Sequence, residues 1–335
     1  MSVSTRMGAE ASEAPAVVQW QAAALASSIG DLAGILRKAS PQLVVTCARG
    51  SSAHAATFGK HLIERHLGIP VSEAAPNIAS VYRRALALKG QLFLAISQAG
   101  RSADIVETAA MARSSGAITV AIANDITSPL AQTCEIVLPM GAGAELSVAA
   151  TKSFVASLAA LLRLTAAWTD NAAMQDGIDR LPDRLAAAME LDWSAVIAGL
   201  AGSPTAITIG RGPTLAIARE AALKLKEACN LHAEAFSSAE FQHGPMALVE
   251  EAYPVVLFAP TDEASEGIET LRVDLERKGA CVLSTACLSA LAPGHPDADA
   301  ICQIQTFYRL LPEIAARRGS DVDRPRHLRK VTTTR

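Results

Sequence analysis

Two stretches of the sequence, Leu43-Val-Val-Thr-Cys-Ala-Arg-Gly50 and Ala206-Ile-Thr-Ile-Gly-Arg-Gly212, share one pattern. Each is an apolar run that ends in glycine, and a helix-length segment follows each of them, at 52–66 and at 214–229. The second glycine comes 162 positions after the first, and the same offset carries 91–98 onto 253–260. An offset of 163 carries 116–120 onto 279–283. This self-similarity indicates that the chain contains two copies of one structural unit.

Short apolar strands that alternate with helices are typical of a parallel sheet covered on both faces. The repeat therefore predicts an α/β fold with two doubly wound parallel-sheet subdomains. An amphipathic helix is expected over 15–39, with Pro15 at its first position. The predicted order is an N-terminal segment and helix (1–39), a first subdomain (40–170), a connecting helix (171–191), a second subdomain (192–318) and a C-terminal tail (319–335).

Composition and charge exclude several classes of protein. Half of the 335 residues are apolar and the net charge is −3, with no basic stripe, so we expect no nucleic-acid partner. The longest apolar stretch, Phe154 to Trp168, contains Arg163 and is too short to span a bilayer, so we expect no membrane partner. The first sixteen residues lack the apolar segment of a signal peptide, which predicts a cytoplasmic protein.

Cysteine and histidine spacing bears on metals and redox chemistry. The six cysteines are scattered without a C-x-x-C pair, and we interpret them as buried apolar side chains of a protein in a reducing compartment. His61 and His66 are five residues apart, so they lie on different faces of a helix. We therefore expect no metal site.

Two strand-to-helix turns of the first subdomain are rich in hydrogen-bond donors: Gly50-Ser51-Ser52, and Ser97-Gln98-Ala99-Gly100-Arg101-Ser102. Anions bind at helix N-termini at the carboxyl ends of parallel strands, so these turns are candidates for a phosphate site. Neither turn has the pattern of a nucleotide-binding loop. Ordinary capping of the following helix by Ser102 is the alternative. The corresponding turn of the second subdomain, 259–262, lacks these donors, which predicts different roles for the two halves.

Lys224 and Glu227 are three residues apart on a predicted helix and share one face of it. Spacing alone favours a surface ion pair over a catalytic one, and Glu220, four residues before Lys224, fits a surface pair equally well. His243 precedes Gly-Pro at a forced turn, where a histidine is more often structural than catalytic.

Several motifs together resemble the isomerase half of glucosamine-6-phosphate synthase, which is a pair of flavodoxin-like sugar isomerase (SIS) domains. The resemblance begins near residue 20 and covers nearly all of the chain. The matching blocks are Ser97-Gln-Ala-Gly100, Val148-Ala-Ala-Thr-Lys152, Ala222-Leu-Lys-Leu-Lys-Glu227, His232-Ala-Glu-Ala235, His243-Gly-Pro245 and Asp321-Val-Asp-Arg-Pro-Arg326.

The resemblance implies a role for each matching residue. Ser97, Gln98, Ser102 and the backbone at Ala99 would hold the phosphate of a sugar-phosphate substrate. Ser52 would contact the sugar, and Ser51, Val148 and Ala150 would line its site. Glu227 would shuttle the proton between C1 and C2, with no metal or cofactor. His243, contributed by the partner in a homodimer with shared active sites, would assist ring opening, while Lys224 and the tail residue Lys330 would complete the site.

The sequence also departs from the resembled family. Alanine stands at 99 and at 150, where the family has serine, and Arg101 replaces an acidic residue. No glutaminase domain precedes the repeat, so we expect no glutamine-dependent synthesis. The best interpretation is a deaminase that converts glucosamine 6-phosphate to fructose 6-phosphate and ammonia. A plain aldose–ketose isomerase and a deglycase of phosphorylated fructosamines remain alternatives. A sugar-phosphate sensor is less favoured, because no basic recognition helix precedes the repeat.

Overall fold

The structure is a computed structural model, and it describes residues 5–330. Its framework is two separate sheets in which every recorded strand pairing is parallel. The strands that lie inside these sheets are continuous apolar runs because helices cover both of their faces. The predicted α/β class with two parallel-sheet units is confirmed.

The first sheet has five strands in the order β2-β1-β3-β4-β5. Their bounds are β1 Val44–Ala48, β2 Val71–Glu73, β3 Leu92–Ser97, β4 Ile118–Ala123 and β5 Ile136–Pro139. Cys47 pairs with Ala95 and Ala48 with Ile96, so β1 and β3 end at the same edge of the sheet. Because β2 and β3 lie on opposite sides of β1, the order in which the chain adds strands to the sheet reverses at the β1–β3 junction.

The second sheet repeats this order with one strand fewer, as β7-β6-β8-β9. Its strands are β6 Thr205–Gly210, β7 His232–Ser237, β8 Pro254–Phe258 and β9 Cys281–Ser284. The six strands predicted from the repeat are β1, β3, β4, β6, β8 and β9, and all are present. The three strands that the repeat did not reveal, β2, β5 and β7, lie at sheet edges.

Fifteen α-helices and one short 3₁₀ helix surround the sheets in the described chain. Those of the first 180 residues are α1 Arg6–Ser12, α2 Ala14–Ala24, α3 Ala26–Ala39, α4 Ser51–Leu67, α5 Asn77–Ser80, α6 Ala103–Ser114, α7 Pro129–Thr133, α8 Lys152–Thr169 and α9 Ala172–Asp179. The remainder are α10 Leu181–Ala188, α11 Ser194–Ala201, α12 Thr214–Cys229, α13 Ser238–Gln242, α14 Ser265–Arg277 and α15 Pro296–Arg317, with the 3₁₀ helix at Pro245–Leu248.

Contacts divide the chain into two compact units, each assembled from several pieces. The first unit contains Ala16–Glu145, Lys152–Asp179 and the two tail residues Arg329 and Lys330. The second unit contains residues 5–15, the short segment Leu146–Thr151 and Arg180–Leu328.

Two helix predictions need correction. The region expected as one helix over 15–39 is α2 and α3, which meet at Leu25, and Pro15 lies in the first turn of α2. The single connecting helix expected over 171–191 is α9 and α10. The tail expected at 319–335 has no helix as far as Lys330, and its last five residues lie outside the described chain.

The apolar stretch Phe154 to Trp168 lies inside α8, and nearly all of its side chains are buried in the first unit. Over residues 5–330 no helix is both long and apolar enough to cross a membrane. Four cysteines are buried as expected, and burial raises the pKa of each of these thiols to about 12. Cys281 is only partly buried and Cys287 is exposed, so the expectation of burial is wrong for Cys287.

Candidate active site

The first donor-rich turn begins α4. Gly50 lies at φ +56°, where a side chain would be strained, and the space over its Cα is open. Ser51 and Ser52 form the first turn of this 17-residue helix, where backbone N–H groups have no intrahelical partner. Both side chains are half-buried, and neither hydroxyl has a hydrogen bond to another described residue. This turn offers unused donors to an anion.

The second donor-rich turn is held in shape by its own hydrogen bonds. Ser97 is the last residue of β3, and its Oγ accepts the N–H of Gly100 at 3.1 Å. Gly100 lies at φ +61°, and a Cβ there would collide with the Ser128 side chain. The carbonyl of Gln98 accepts the N–H groups of Asn124 and Asp125 at 3.2 and 3.3 Å. The turn is therefore preorganised by its backbone, with the side chain of Gln98 on its half-buried surface.

Ser102 occupies the N-cap position of α6, but its hydroxyl makes no capping hydrogen bond. The alternative role of Ser102, ordinary capping of the helix, is therefore not what its hydroxyl does in this structure. The guanidinium of Arg101 is exposed and donates to Asp125 at 2.9 Å. Hydrogen bonds from Thr127 and Arg101 lower the pKa of the Asp125 carboxyl. Ala99 is half-buried between Gln98 and Gly100.

The sheet order places these two turns together. They follow the adjacent strands β1 and β3, on either side of the point where the strand order reverses. Open α/β sheets bind ligands in the crevice at such a switch point, outside the carboxyl ends of the strands. The N-termini of α4 and α6 both begin there, and their dipoles favour negative charge.

The second unit contains a buried charged cluster on α12. The Nζ of Lys224 lies 2.5 Å from Glu227 and 3.4 Å from Glu220. The Lys224 and Glu220 side chains are 1% and 0% exposed, whereas Glu227 is 22% exposed. Tyr308 of α15 donates its phenolic hydrogen to Glu220 at 3.2 Å. The surface ion pair favoured by the spacing is therefore wrong, because Lys224 is completely enclosed.

The electrostatics of this cluster are balanced. Burial on its own would lower the pKa of Lys224, but Glu220 and Glu227 together outweigh that effect and raise it. The ammonium therefore stays charged and fixes the position of the Glu227 carboxylate, the one member that reaches solvent. A fixed, partly exposed carboxylate is the type of group that transfers protons to and from carbon.

His243 follows α13 and precedes Gly244, which has φ +149°. Its backbone N–H donates to the Glu240 carbonyl at 3.0 Å, which fixes the turn. The imidazole is exposed and has no hydrogen bond to any residue between 5 and 330. The turn therefore does not depend on the ring, and the expected catalytic role of His243 stays a prediction.

The tail residue Lys330 contacts a carboxylate that sequence reasoning missed. Its Nζ donates to Glu145 at 3.1 Å, and Glu145 also accepts the N–H and the hydroxyl of Ser153 at 3.1 and 2.6 Å. Glu145 is buried inside the first unit. The signal available in the sequence was one acidic residue within the Gly/Ala-rich run that directly precedes the Val148 block.

Val148 and Ala150 lie in the short segment Leu146–Thr151 of the second unit. Both are half-buried and flank the buried Ala149. The segment is held by Glu10 of α1, whose carboxylate accepts the N–H groups of Leu146 and Ser147 at 2.5 and 3.2 Å. No cluster of three or more metal-ligating side chains occurs in the part of the chain that the structure describes.

A family model and several known proteins match most of the chain. The model of the SIS domain family matches residues 35–167 and 199–304. A glutamine–fructose-6-phosphate aminotransferase (isomerizing) of Symbiobacterium thermophilum is 35% identical, over 92% of this chain and 54% of the relative. The chain thus spans about half the length of the curated relatives that it matches.

Two solved structures superpose over 96% of the chain. One, from Silicibacter pomeroyi DSS-3, is named as a candidate phosphosugar isomerase; it is 41% identical, has a TM-score of 0.92 and is covered completely. The other is the C-terminal domain of a glucosamine-fructose-6-phosphate aminotransferase from Francisella tularensis, 27% identical with a TM-score of 0.83 and 99% covered.

Proposed function

Because this chain belongs to the SIS domain family, we propose that it deaminates glucosamine 6-phosphate to fructose 6-phosphate and ammonia. The chain is an enzyme of the phosphosugar isomerase type. The proposal concerns the sugar that it takes and the fate of the nitrogen.

The observation that carries the proposal is the Lys224–Glu227 pair at 2.5 Å. In the open-chain sugar the C2 proton is acidic because C1 is an aldehyde. Glu227 takes that proton while O1 takes a proton from solvent, and the resulting enolamine accepts the first proton back at C1 from the same carboxyl group. The product is a protonated C2 imine, which water hydrolyses to the ketose with loss of ammonium, the protonated form of ammonia. Lys224 acts by holding the carboxylate in one position, and general-base catalysis of this kind contributes roughly 10²- to 10⁴-fold.

We assign phosphate binding to the turns that contain Ser51–Ser52 and Ser97–Ser102. Two helix N-termini and several unused donors at the switch point of the first sheet support this assignment. The chemistry of both turns suits a phosphate monoester, because their unpaired donors are hydroxyls, an amide and backbone N–H groups, while Arg101 is paired with Asp125.

The direct test is incubation with glucosamine 6-phosphate, with ammonia and fructose 6-phosphate measured separately. Equal amounts of both products are expected, with no release from unphosphorylated glucosamine. A plain isomerase, the alternative that the Silicibacter pomeroyi relative favours, interconverts an unaminated aldose and ketose phosphate and releases no ammonia. A deglycase releases an amine only from a phosphorylated fructosamine.

We also propose that the enzyme is a homodimer with shared active sites. In this dimer, His243 of each chain completes the active site of the other chain. The exposed imidazole without a hydrogen bond in its own described chain supports this role. In an isologous dimer, a mixture of Glu227→Gln and His243→Asn proteins forms some dimers with one intact site. Each variant alone is expected to be nearly inactive, and the mixture is expected to recover activity. An inactive mixture with proven subunit exchange contradicts the shared site.

A further inference from the structure

An ion pair joins the two donor-rich turns of the first unit. Arg49 follows β1 directly, and its guanidinium donates to Asp104 Oδ2 from Nε at 3.0 Å and from Nη2 at 2.5 Å. Asp104 lies in the first turn of α6, two residues after Ser102. The pair therefore connects the end of β1 to the start of α6, across the β1–β3 switch point.

Arg49 keeps donor capacity in spite of this contact. Its side chain is 51% exposed, whereas Asp104 is buried. The remaining terminal nitrogen, Nη1, has no acceptor within residues 5–330. A guanidinium held by a two-point contact to a carboxylate is preorganised, so that it loses little side-chain entropy when a ligand arrives.

On the basis of the function proposed above, we propose that Arg49 binds the substrate's phosphate group directly through its free Nη1. The ligand class is a phosphate monoester dianion. Apart from Arg101, whose guanidinium is paired with Asp125, the turn at 97–102 offers only neutral donors, and position 99 is an alanine without a hydroxyl. The arginine supplies the charge-assisted hydrogen bond that this alanine cannot.

The other arginine of these turns is placed differently. Arg101 pairs with Asp125, which follows β4, and so this pair does not connect the β1 and β3 turns. Arg83 provides a matched control, because it pairs with Glu107, on the same helix as Asp104 and one turn further along, at 2.6 Å. Both of these ion pairs are exposed, and only Arg49 reaches the junction of the two turns.

The test is calorimetric titration of the full chain with fructose 6-phosphate and, separately, with inorganic phosphate. Arg49→Gln is expected to weaken both ligands by roughly tenfold to a hundredfold, the range for a hydrogen bond to a charged group. Arg83→Gln is expected to leave both affinities unchanged. Arg49→Lys keeps the charge without the two-point contact, so we expect an intermediate affinity. Adding Ala99→Ser to Arg49→Gln is expected to recover part of the loss.

Asp104→Asn separates direct binding from a structural role. It keeps an amide oxygen that can accept from Arg49 and removes a negative charge close to the ligand, so phosphate affinity is expected to stay equal or increase. Equal losses in Asp104→Asn and Arg49→Gln mean that the pair only fixes the turns, which overturns the proposal, as does an Arg49→Gln protein with unchanged affinity. If the unaltered protein binds inorganic phosphate but no sugar phosphate, the proposed function fails while the phosphate series still decides the role of Arg49. If the unaltered protein binds neither fructose 6-phosphate nor inorganic phosphate, the proposed function and the proposed role of Arg49 are both overturned.

Discussion

The carboxyl ends of the two sheets differ, although the repeat aligns them residue by residue. Gly50 and Gly212 both adopt φ +56°, but Ser51 and Ser52 of the first copy correspond to Pro213 and Thr214 of the second. Pro213 has no N–H to offer, and the hydroxyl of Thr214 donates to the Phe258 carbonyl of β8 at 2.6 Å. Thr214 also accepts the Arg211 N–H at 3.0 Å. The second switch point is therefore occupied by the chain's own hydrogen bonds, whereas the first has unused donors.

The helices that follow these turns, α4 and α12, also differ, and here the charged side chains belong to the second copy. Glu220 and Lys224 of α12 correspond to Phe58 and Leu62 of α4, and all four side chains are fully buried. The first copy thus has an apolar contact where the second has buried charges. Because apolar residues of similar volume are often as stabilising as a buried ion pair, the charges are not needed for packing. The comparison shows that the first copy has unused donors where the second is closed by its own hydrogen bonds, and that the second copy buries charges where the first has an apolar contact.

The largest effect is expected from substitutions of the buried charges on α12. Lys224→Met leaves Glu220 buried without its cation, and we expect a loss of about 3–5 kcal/mol in the free energy of unfolding. The double variant Glu220→Leu, Lys224→Met restores the type of contact found in α4 and is expected to recover most of that stability while remaining inactive. Urea denaturation and turnover measure the two properties separately. If the double variant is as unstable as the single one, the charged cluster is structural.

A second variant concerns the exposed member of the cluster. Glu227→Gln keeps the shape of the side chain and removes its basicity, so turnover is expected to fall by about 10²-fold or more with little change in sugar-phosphate affinity. The matched control is Arg65→Gln, since Arg65 is the α4 residue that corresponds to Glu227. Turnover by Glu227→Gln close to that of Arg65→Gln would exclude Glu227 as the base.

The open crevice of the first sheet is tested by Ser97→Ala and Ser102→Ala. Each is expected to weaken binding of fructose 6-phosphate by about 1–3 kcal/mol, while an unphosphorylated analogue changes little. Thr261→Ala, at the second-copy position that corresponds to Ala99, serves as the control and is expected to have no effect. Equal losses with phosphorylated and unphosphorylated ligands show that the turn is only structural.

The smallest expected effect concerns Glu145, the acceptor of the tail residue Lys330. Glu145→Gln weakens the contact with Lys330, which is worth about 1 kcal/mol at a partly exposed lysine, so turnover is expected to fall by about fivefold. Deletion from Arg329 onward removes Lys330 itself and is expected to reduce turnover far more without unfolding the protein. If Glu145→Gln reduces only thermal stability, Glu145 is a structural acceptor for Ser153.

The sequence was sufficient for the six strands of the repeat, because each is a continuous apolar run followed by a turn signal. It was insufficient for β7, where buried Ala233 lies between exposed His232 and Glu234 in an edge strand. Nothing in the sequence marked Leu25 as a break between helices, since neither glycine nor proline occurs there. These features depend on tertiary contacts and not on local pattern.

The candidate site was predictable where it depends on local turns and not where it depends on burial. The turn at 97–102 follows from a strand, a glycine and a helix start. Lys224 and Glu227 have the same spacing whether a helix face is exposed or buried, so spacing alone favoured the wrong environment. Arg49 and Asp104 are 55 residues apart, and only the parallel pairing of β1 with β3 brings them into contact.

The contact between Glu10 and the backbone of Leu146 and Ser147 has a consequence for folding order. The second unit needs residues before Pro15, the strip 146–151 and the long stretch from Arg180, so it cannot be completed until most of the chain has left the ribosome. A recombinant fragment that starts at Arg180 would lack α1 and that strip, and would leave Gln305 without the Ala11 carbonyl to which it donates at 2.8 Å. The two copies therefore cannot be separated by a single proteolytic cut or by truncation, because Lys152–Asp179 of the first unit lies between two pieces of the second.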